Sequence, residues 1–183
     1  MIELFDREFV ESQEALGMQI LGQFRDLDRP DDFVWLRAFG DMDSRPLSLA
    51  AFYGGPVWKR HGPAANATMV DSDDVLLLRP TVTGDGWPPE GRRPPAGAVG
   101  DGPGAVLLIM SPAGTPAARF DATRVAELVT EPSPNNYPPL PIRVGENVHV
   151  AVATLPHAAD AAALPPTDGL ARLIPTARSL LHG

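Results

Sequence analysis

Six side chains in the first half of the chain could together hold and act on a small organic molecule. Three are aromatic and three can form hydrogen bonds or carry charge: Trp35, Tyr53 and Trp58, with Arg37, His61 and Asn66. Aromatic rings offer a planar ligand a large contact area, and a few polar atoms fix its orientation. We therefore predict a ligand site built from these residues. The alternative is that the rings pack between a helix and a sheet.

His61 is the candidate catalytic residue because it is the only histidine near the aromatic side chains. An imidazole with an ordinary pKa of about 6.5 can act as a general base or bind a metal or haem. No histidine or carboxylate stands at a helical metal-binding distance from it, and Asp71, Asp73 and Asp74 do not follow the calcium-loop pattern. We therefore predict no metal site. The alternative for His61 is a solvated surface residue.

Composition excludes several other classes of protein. The chain has 15 basic and 23 acidic residues and a net charge of -8, so we expect neither a nucleic acid nor a membrane surface as partner. It contains no cysteine, which excludes disulfides and thiolate nucleophiles. The sequence has neither a run of ~20 apolar residues nor a secretory signal pattern, so we expect a cytoplasmic location. It also lacks serine hydrolase, P-loop and dinucleotide-binding motifs.

Helix and strand patterns over residues 1–80 would position the candidate side chains. Alternation over residues 33–39 places Trp35 and Arg37 on the same face of a strand. The apolar run at residues 75–79 predicts a strand buried on both faces. The predicted elements, in chain order, are a helix over residues 2–16, strands over 18–24 and 33–39, a helix over about 42–53, a short helix over 57–61 and a strand over 75–79.

Residues 81–104 are rich in proline and glycine, which predicts a linker between two halves of the chain, residues 1–80 and 105–183. Residues 120–130 fit either a helix capped by Asp121 or a strand. The other elements predicted after the linker are strands over residues 105–110, 147–155 and 170–174 and a short helix over 158–164.

The two halves of the sequence contain similar segments. Residues 73–81 and 168–176 share an aspartate, a leucine and a closing Pro-Thr, and each segment lies at the end of its half. The position of this match indicates a duplicated unit. A unit of strand, helix, two strands, helix and strand is ferredoxin-like, so we predict an α+β fold with tandem ferredoxin-like halves.

Several stretches of the chain resemble the bacterial NIPSNAP family. They are FVWLR at residues 33–37, FYGGPVWK at 52–59, ANATMVDS at 65–72, LLLRP at 76–80 and VTEPSPN at 129–135. The resemblance covers nearly the whole chain and implies a dimeric α/β-barrel type of fold, in which two ferredoxin-like units pair their sheets around a small-molecule pocket. The wider superfamily of dimeric α+β barrels, to which the NIPSNAP family belongs, includes cofactor-independent oxygenases, haem-degrading oxygenases and stress-response proteins.

The chain departs from the pattern of that family at two places. Family members begin with a strand before the first helix, and here the helix begins almost at Met1, so the first strand is predicted to be missing. The second half of family members carries a helix between its first two strands. Residues 111–121 are too short for that helix, which favours a strand over residues 122–130 and a degenerate second half.

The resemblance therefore implies three hypotheses about function. The first is a homodimer that binds a small, fairly apolar or aromatic organic molecule in a barrel pocket. In that case the protein would be an oxygenase or isomerase-like enzyme that needs no cofactor, with His61 as the base. The second is a non-catalytic, stress-associated or interaction module with a barrel filled by side chains. The third is haem binding through His61.

Overall fold

The computed structural model describes residues 1–84, 87–115 and 118–183. Its mixture of one antiparallel sheet and a few short helices confirms the predicted α+β class. The elements in chain order are α1 (Ile2–Leu4), which continues through a π-helical stretch (Phe5–Phe9) into α2 (Val10–Glu14), then β1 (Gln19–Asp26), β2 (Phe33–Ala38), α3 (Ser44–Gly54), α4 (Pro56–Asn66), β3 (Leu78–Thr83), β4 (Ala105–Pro112), β5 (Thr123–Thr130), β6 (Val148–Leu155), α5 (Ala158–Ala163) and β7 (Leu170–Pro175). Across this described part, no helix is both long and apolar enough to cross a bilayer.

The seven strands lie in the order β2-β1-β7-β4-β6-β5-β3, and every neighbouring pair is antiparallel. β1 from the first predicted half pairs with β7 from the second, and β3 from the first half pairs with β5 from the second. Strands of both halves therefore share one sheet. This order leaves the division into two ferredoxin-like halves a prediction.

One face of the sheet, which we call the inner face, carries a single apolar cluster. The cluster includes Phe24 of β1, Val106 of β4 and Val152 of β6. Val34 on one edge strand and Leu78 on the other edge strand both pack against it. Because residues from opposite edges meet the same cluster, the sheet is curled around this face.

The helices pack against the opposite face of the sheet, which we call the outer face. The helical residues 2–14 and helices α3 and α4 cover Ile20 of β1 and Phe33 and Trp35 of β2. Helix α5 places Ala161 against Leu107 of β4. Side chains along each strand alternate between the two faces of the sheet. Apolar clusters lie on both faces.

The predicted strand over residues 75–79, buried on both faces, is wrong. Strand β3 begins only at Leu78, pairs with β5 alone and exposes five of its six residues. The carbonyls of Val75 and Leu77 instead accept hydrogen bonds from the backbone N–H groups of Arg143 and Glu131 at 2.9 and 2.8 Å. Hydrophobicity predicted burial here, but this strand lies at the edge of the sheet.

Of the two alternatives for residues 120–130, the strand is confirmed as β5.

The proline-rich segment predicted as a linker packs against the helical side of the protein. Arg93 Nη1 donates to the carbonyl of Arg178 at 2.6 Å, and Arg93 Nη2 donates to Glu14 Oε1 at 2.7 Å. Arg178 in turn is buried and donates through Nε to the carbonyl of Pro94 at 2.9 Å. Two arginines thus join this segment to the first helix and to the carboxyl-terminal residues.

Candidate functional site

Trp58 lies in a packed group of aromatic rings between the helices and the outer face of the sheet. Its ring centroid is 5.4 Å from that of Phe9, 5.6 Å from that of Phe52 and 4.7 Å from that of Tyr53. Tyr53 meets Trp58 edge to face and also stacks on Tyr137 at 6.2 Å. Such distances are those of rings in mutual contact. The contacts of Trp58 and Tyr53 therefore favour the packing alternative.

Two glycine positions allow Trp58 to reach this group. Gly55 is extended, with φ of -78° and ψ of 168°, and it separates α3 from α4, which Pro56 begins. Gly62 lies against the indole one turn later, and a Cβ there would approach Trp58 Cε2 to 2.7 Å. The glycine-rich segment of the sequence thus sets the turn between the helices and the close approach of the ring.

Trp35 and Arg37 also face the helices. The ring of Trp35 stacks on Phe33 at 5.5 Å and lies 5.6 Å from Phe5. Arg37 Nη1 donates to Gln13 Oε1 at 2.8 Å, and its guanidinium lies 5.5 Å from the ring centre of Phe39. The predicted shared face of Trp35 and Arg37 is thus the outer one, across the sheet from the apolar inner face.

His61 is half-buried and Asn66 is exposed, and both belong to α4. His61 Nε2 is 3.5 Å from Glu8 Oε2 at the surface of the helices. A hydrogen bond from Arg7 lowers the pKa of that carboxyl, so Glu8 is ionised near neutral pH. The structure therefore brings Trp35, Tyr53 and Trp58 into one apolar cluster, whereas His61 faces Glu8 and Asn66 is exposed.

The loop between β5 and β6 packs against the aromatic group through Tyr137 and Leu140. The buried guanidinium of Arg45 donates through Nη1 to the amide oxygens of Asn135 and Asn136 at 3.0 and 2.9 Å. It also lies 5.8 Å from the centre of the Phe39 ring. Burial lowers the pKa of Arg45 from its usual high value, and the group stays charged at neutral pH.

Replacing Arg45 with methionine should release this loop. The variant keeps the apolar stem but removes the charged donor, and we expect a loss of about 1.5–3 kcal/mol in the free energy of unfolding. Urea unfolding measures the loss. Tryptic cleavage after Arg143, which lies in the same loop between β5 and β6, should become faster. Arg60→Met, at an exposed position of α4, is the control. Equal cleavage rates in the two variants would contradict the role of Arg45.

A cleft of about 700 Å³ lies on the outer face at the far end of the sheet, next to β5 and β6. None of the six predicted site residues lines this cleft. They come from β5, β6 and the segment that joins β4 to β5: Ala113, Gly114, Thr115, Arg119, Phe120, Arg124, Glu127, Val129 and His149. Alternation in both strands could have placed Glu127, Val129 and His149 on one face, but only the sheet order makes β5 and β6 neighbours.

Three side chains in the cleft form a chain of hydrogen bonds. Arg124 Nη1 donates to Glu127 Oε1 at 2.6 Å, and His149 Nε2 donates to Glu127 Oε2 at 2.5 Å. The bond from Arg124 is the main reason that the pKa of Glu127 is lowered. His149 Nδ1 is buried without a hydrogen-bond partner in the part of the chain that the structure describes. Both carboxylate oxygens of Glu127 thus accept a hydrogen bond, one from Arg124 and the other from His149.

Comparisons of the chain with family models, with curated proteins and with solved structures gave no match. The resemblance to the NIPSNAP family therefore stays a prediction from the residues quoted above.

Proposed function

We propose that this protein binds a small, fairly apolar organic molecule against the inner face of its curled sheet, as the resemblance to the NIPSNAP family implies. The observation that carries the proposal is the set of apolar side chains on that face which remain half-buried: Val34, Leu36, Leu78, Leu108, Met110, Val148 and Ala171. An apolar ligand gains about 25 cal/mol for each Å² of such surface that it removes from water.

The arrangement of the helices supports this location for the ligand. The outer face is covered by helices at both clusters of buried residues, whereas the helical residues of the described chain contribute none of the members of the inner cluster. Leu181, which lies outside the helices and strands, is a buried member of this cluster, and Leu76 and Trp87 from other loops pack against it. The inner face is therefore the one that a ligand or a second copy could cover without displacing a helix.

We also propose the barrel of two ferredoxin-like halves and the homodimer that the resemblance implies. The strands of the second half lie in the order β7-β4-β6-β5, which is fourth, first, third and second along the chain, as in a ferredoxin-like sheet. In the first half, β1 and β2 are paired, and β2 and β3 form the two edges of the sheet.

We propose binding alone and assign no catalytic role to His61. His61 belongs to α4 on the outer side, where it faces Glu8, so a ligand on the inner face would be separated from it by the sheet. The same position argues against haem binding there through His61. The mutual contacts of Phe9, Phe52 and Trp58 favour the non-catalytic interaction module as the second candidate function.

A neutral fluorescent probe tests binding to the inner face. N-phenyl-1-naphthylamine should increase in fluorescence with the wild-type protein, and Leu108→Gln should weaken its binding about tenfold or more, because an unpaired amide in an apolar site costs about 1–3 kcal/mol. Leu47→Gln, at an exposed position of α3, should bind like the wild type. Thermal unfolding of each variant confirms that it is folded.

The same experiment separates the two candidate functions. If the probe does not bind in a saturable way, or if Leu108→Gln and Leu47→Gln behave alike, the ligand proposal fails. A dimeric molar mass by sedimentation equilibrium would support the proposed homodimer, but it does not separate the two functions.

A further inference from the structure

We propose a second site: the cleft beside β5 and β6 binds a small organic acid, a molecule with an apolar body and one anionic group. The volume of about 700 Å³ lies within the usual range of roughly 300–1,000 Å³ for ligand sites. This site lies on the outer face, whereas the ligand proposed above lies on the inner face. Neither proposal depends on the other.

The cleft exists because the helix layer stops before it reaches this end of the sheet. Helices cover the outer face at β1 and β2 and at β4 and β7. Between β4 and β5 the described residues 113–115 and 118–122 contain no helix and run over the sheet as a loop. Phe120 from this loop packs against the outer-face cluster, and the described residues 113–115 and Arg119 line the cleft together with Glu127, Val129 and His149.

The electrostatics of the cleft favour an anion. Its lining carries two arginines, Arg119 and Arg124, and one carboxylate, Glu127, while the chain as a whole carries a charge of -8. Glu127 has one oxygen bonded to Arg124 and the other bonded to His149, so its charge is already compensated. The excess positive charge is that of a guanidinium, which binds carboxylates through paired N–H donors.

The remaining lining fits the apolar body of the ligand. Phe120 and Val129 are half-buried and offer an aromatic and a branched aliphatic surface within the same cleft as the arginines. Thr115 adds one hydroxyl. A ring with a single acidic substituent meets both requirements, since the ring contacts Phe120 and Val129 while the acidic group faces Arg119.

The test is a titration of ¹⁵N-labelled protein with 1-naphthoate, followed by NMR, and with 1-naphthalenemethanol as the neutral counterpart. Naphthoate should shift the amide signals of Thr115, Phe120, Val129 and His149 in a saturable way. The alcohol should bind about tenfold more weakly, because it lacks the charge-assisted hydrogen bonds. Arg119→Gln should reduce the affinity for naphthoate by about the same factor.

Arg7→Gln, which removes an exposed arginine of the first helix, is the matched control and should leave the affinity unchanged. Equal affinities for the acid and the alcohol, or equal affinities of Arg119→Gln and Arg7→Gln, would overturn the proposal. Saturating shifts on inner-face residues such as Met110, instead of on those of the cleft, would also overturn it. A complete lack of saturable shifts would overturn it as well.

Discussion

Replacing Arg178 with methionine should cost the folded protein about 3–5 kcal/mol in the free energy of unfolding, because it removes several hydrogen bonds that a buried, charged guanidinium donates. The side chain of Arg178 is almost completely buried. Its guanidinium donates to the carbonyls of Asp6 and Pro94 and to the carboxylate of Glu11. One residue thus holds the first helix and the proline-rich segment to the carboxyl-terminal end of the chain.

Urea unfolding followed by circular dichroism measures this loss, and Arg25→Met is the matched control. Arg25 is also paired with a carboxylate, that of Asp101, but both side chains are about half exposed. Pairs of this exposed kind contribute only about 0–1 kcal/mol, because water and salt screen the charges. If the two variants lose the same stability, the network around Arg178 does not join these segments as the contacts indicate.

Replacing Phe9 with alanine should cost a similar amount, about 3–5 kcal/mol, because it leaves a cavity among packed rings. Phe9 is 1% exposed, and its ring lies 6.0 Å from Phe5, 5.7 Å from Phe52 and 5.4 Å from Trp58 by centroid. The tryptophan emission spectrum should change at the same time, since Trp58 loses a neighbour.

The measurement for Phe9→Ala also decides between the two interpretations of the aromatic residues. Leu47→Ala is the control, and at 73% exposure it should stay within about 0.5 kcal/mol of the wild type. A loss below about 1 kcal/mol for Phe9→Ala would mean that the rings surround free space, because a side chain that borders a void removes few contacts when it is truncated. The ligand-binding role predicted for Trp58 would then gain support.

The sequence was a good guide to local structure. The strands at residues 19–26, 33–38, 105–112, 148–155 and 170–175 follow their predicted positions within a few residues. The amphipathic first helix is present as well, although residues 5–9 are π-helical. Helix α4 continues to Asn66, well beyond the short helix predicted over residues 57–61. Periodicity identifies such elements because each one has a single buried face.

The location of the candidate site was less predictable. The sequence placed Trp35 and Arg37 on a common face, which is correct, but it could not say which side of the sheet that face would take. The polar residues of the cleft could not be predicted from the sequence, for a related reason. Glu127 and His149 are 22 positions apart and meet only because β5 and β6 are neighbours in the sheet.

Hydrophobic periodicity by itself determined most of the helices and strands in their order and the shared face of Trp35 and Arg37, while it left residues 120–130 open between a helix and a strand. These are local properties, since each depends on residues within a few positions of one another. The tertiary structure alone decided that strands of both halves share one sheet, that β3 lies at its edge and that Arg124, Glu127 and His149 line one cleft. Those features depend on contacts between distant segments, and strand pairing is fixed only when the whole sheet assembles.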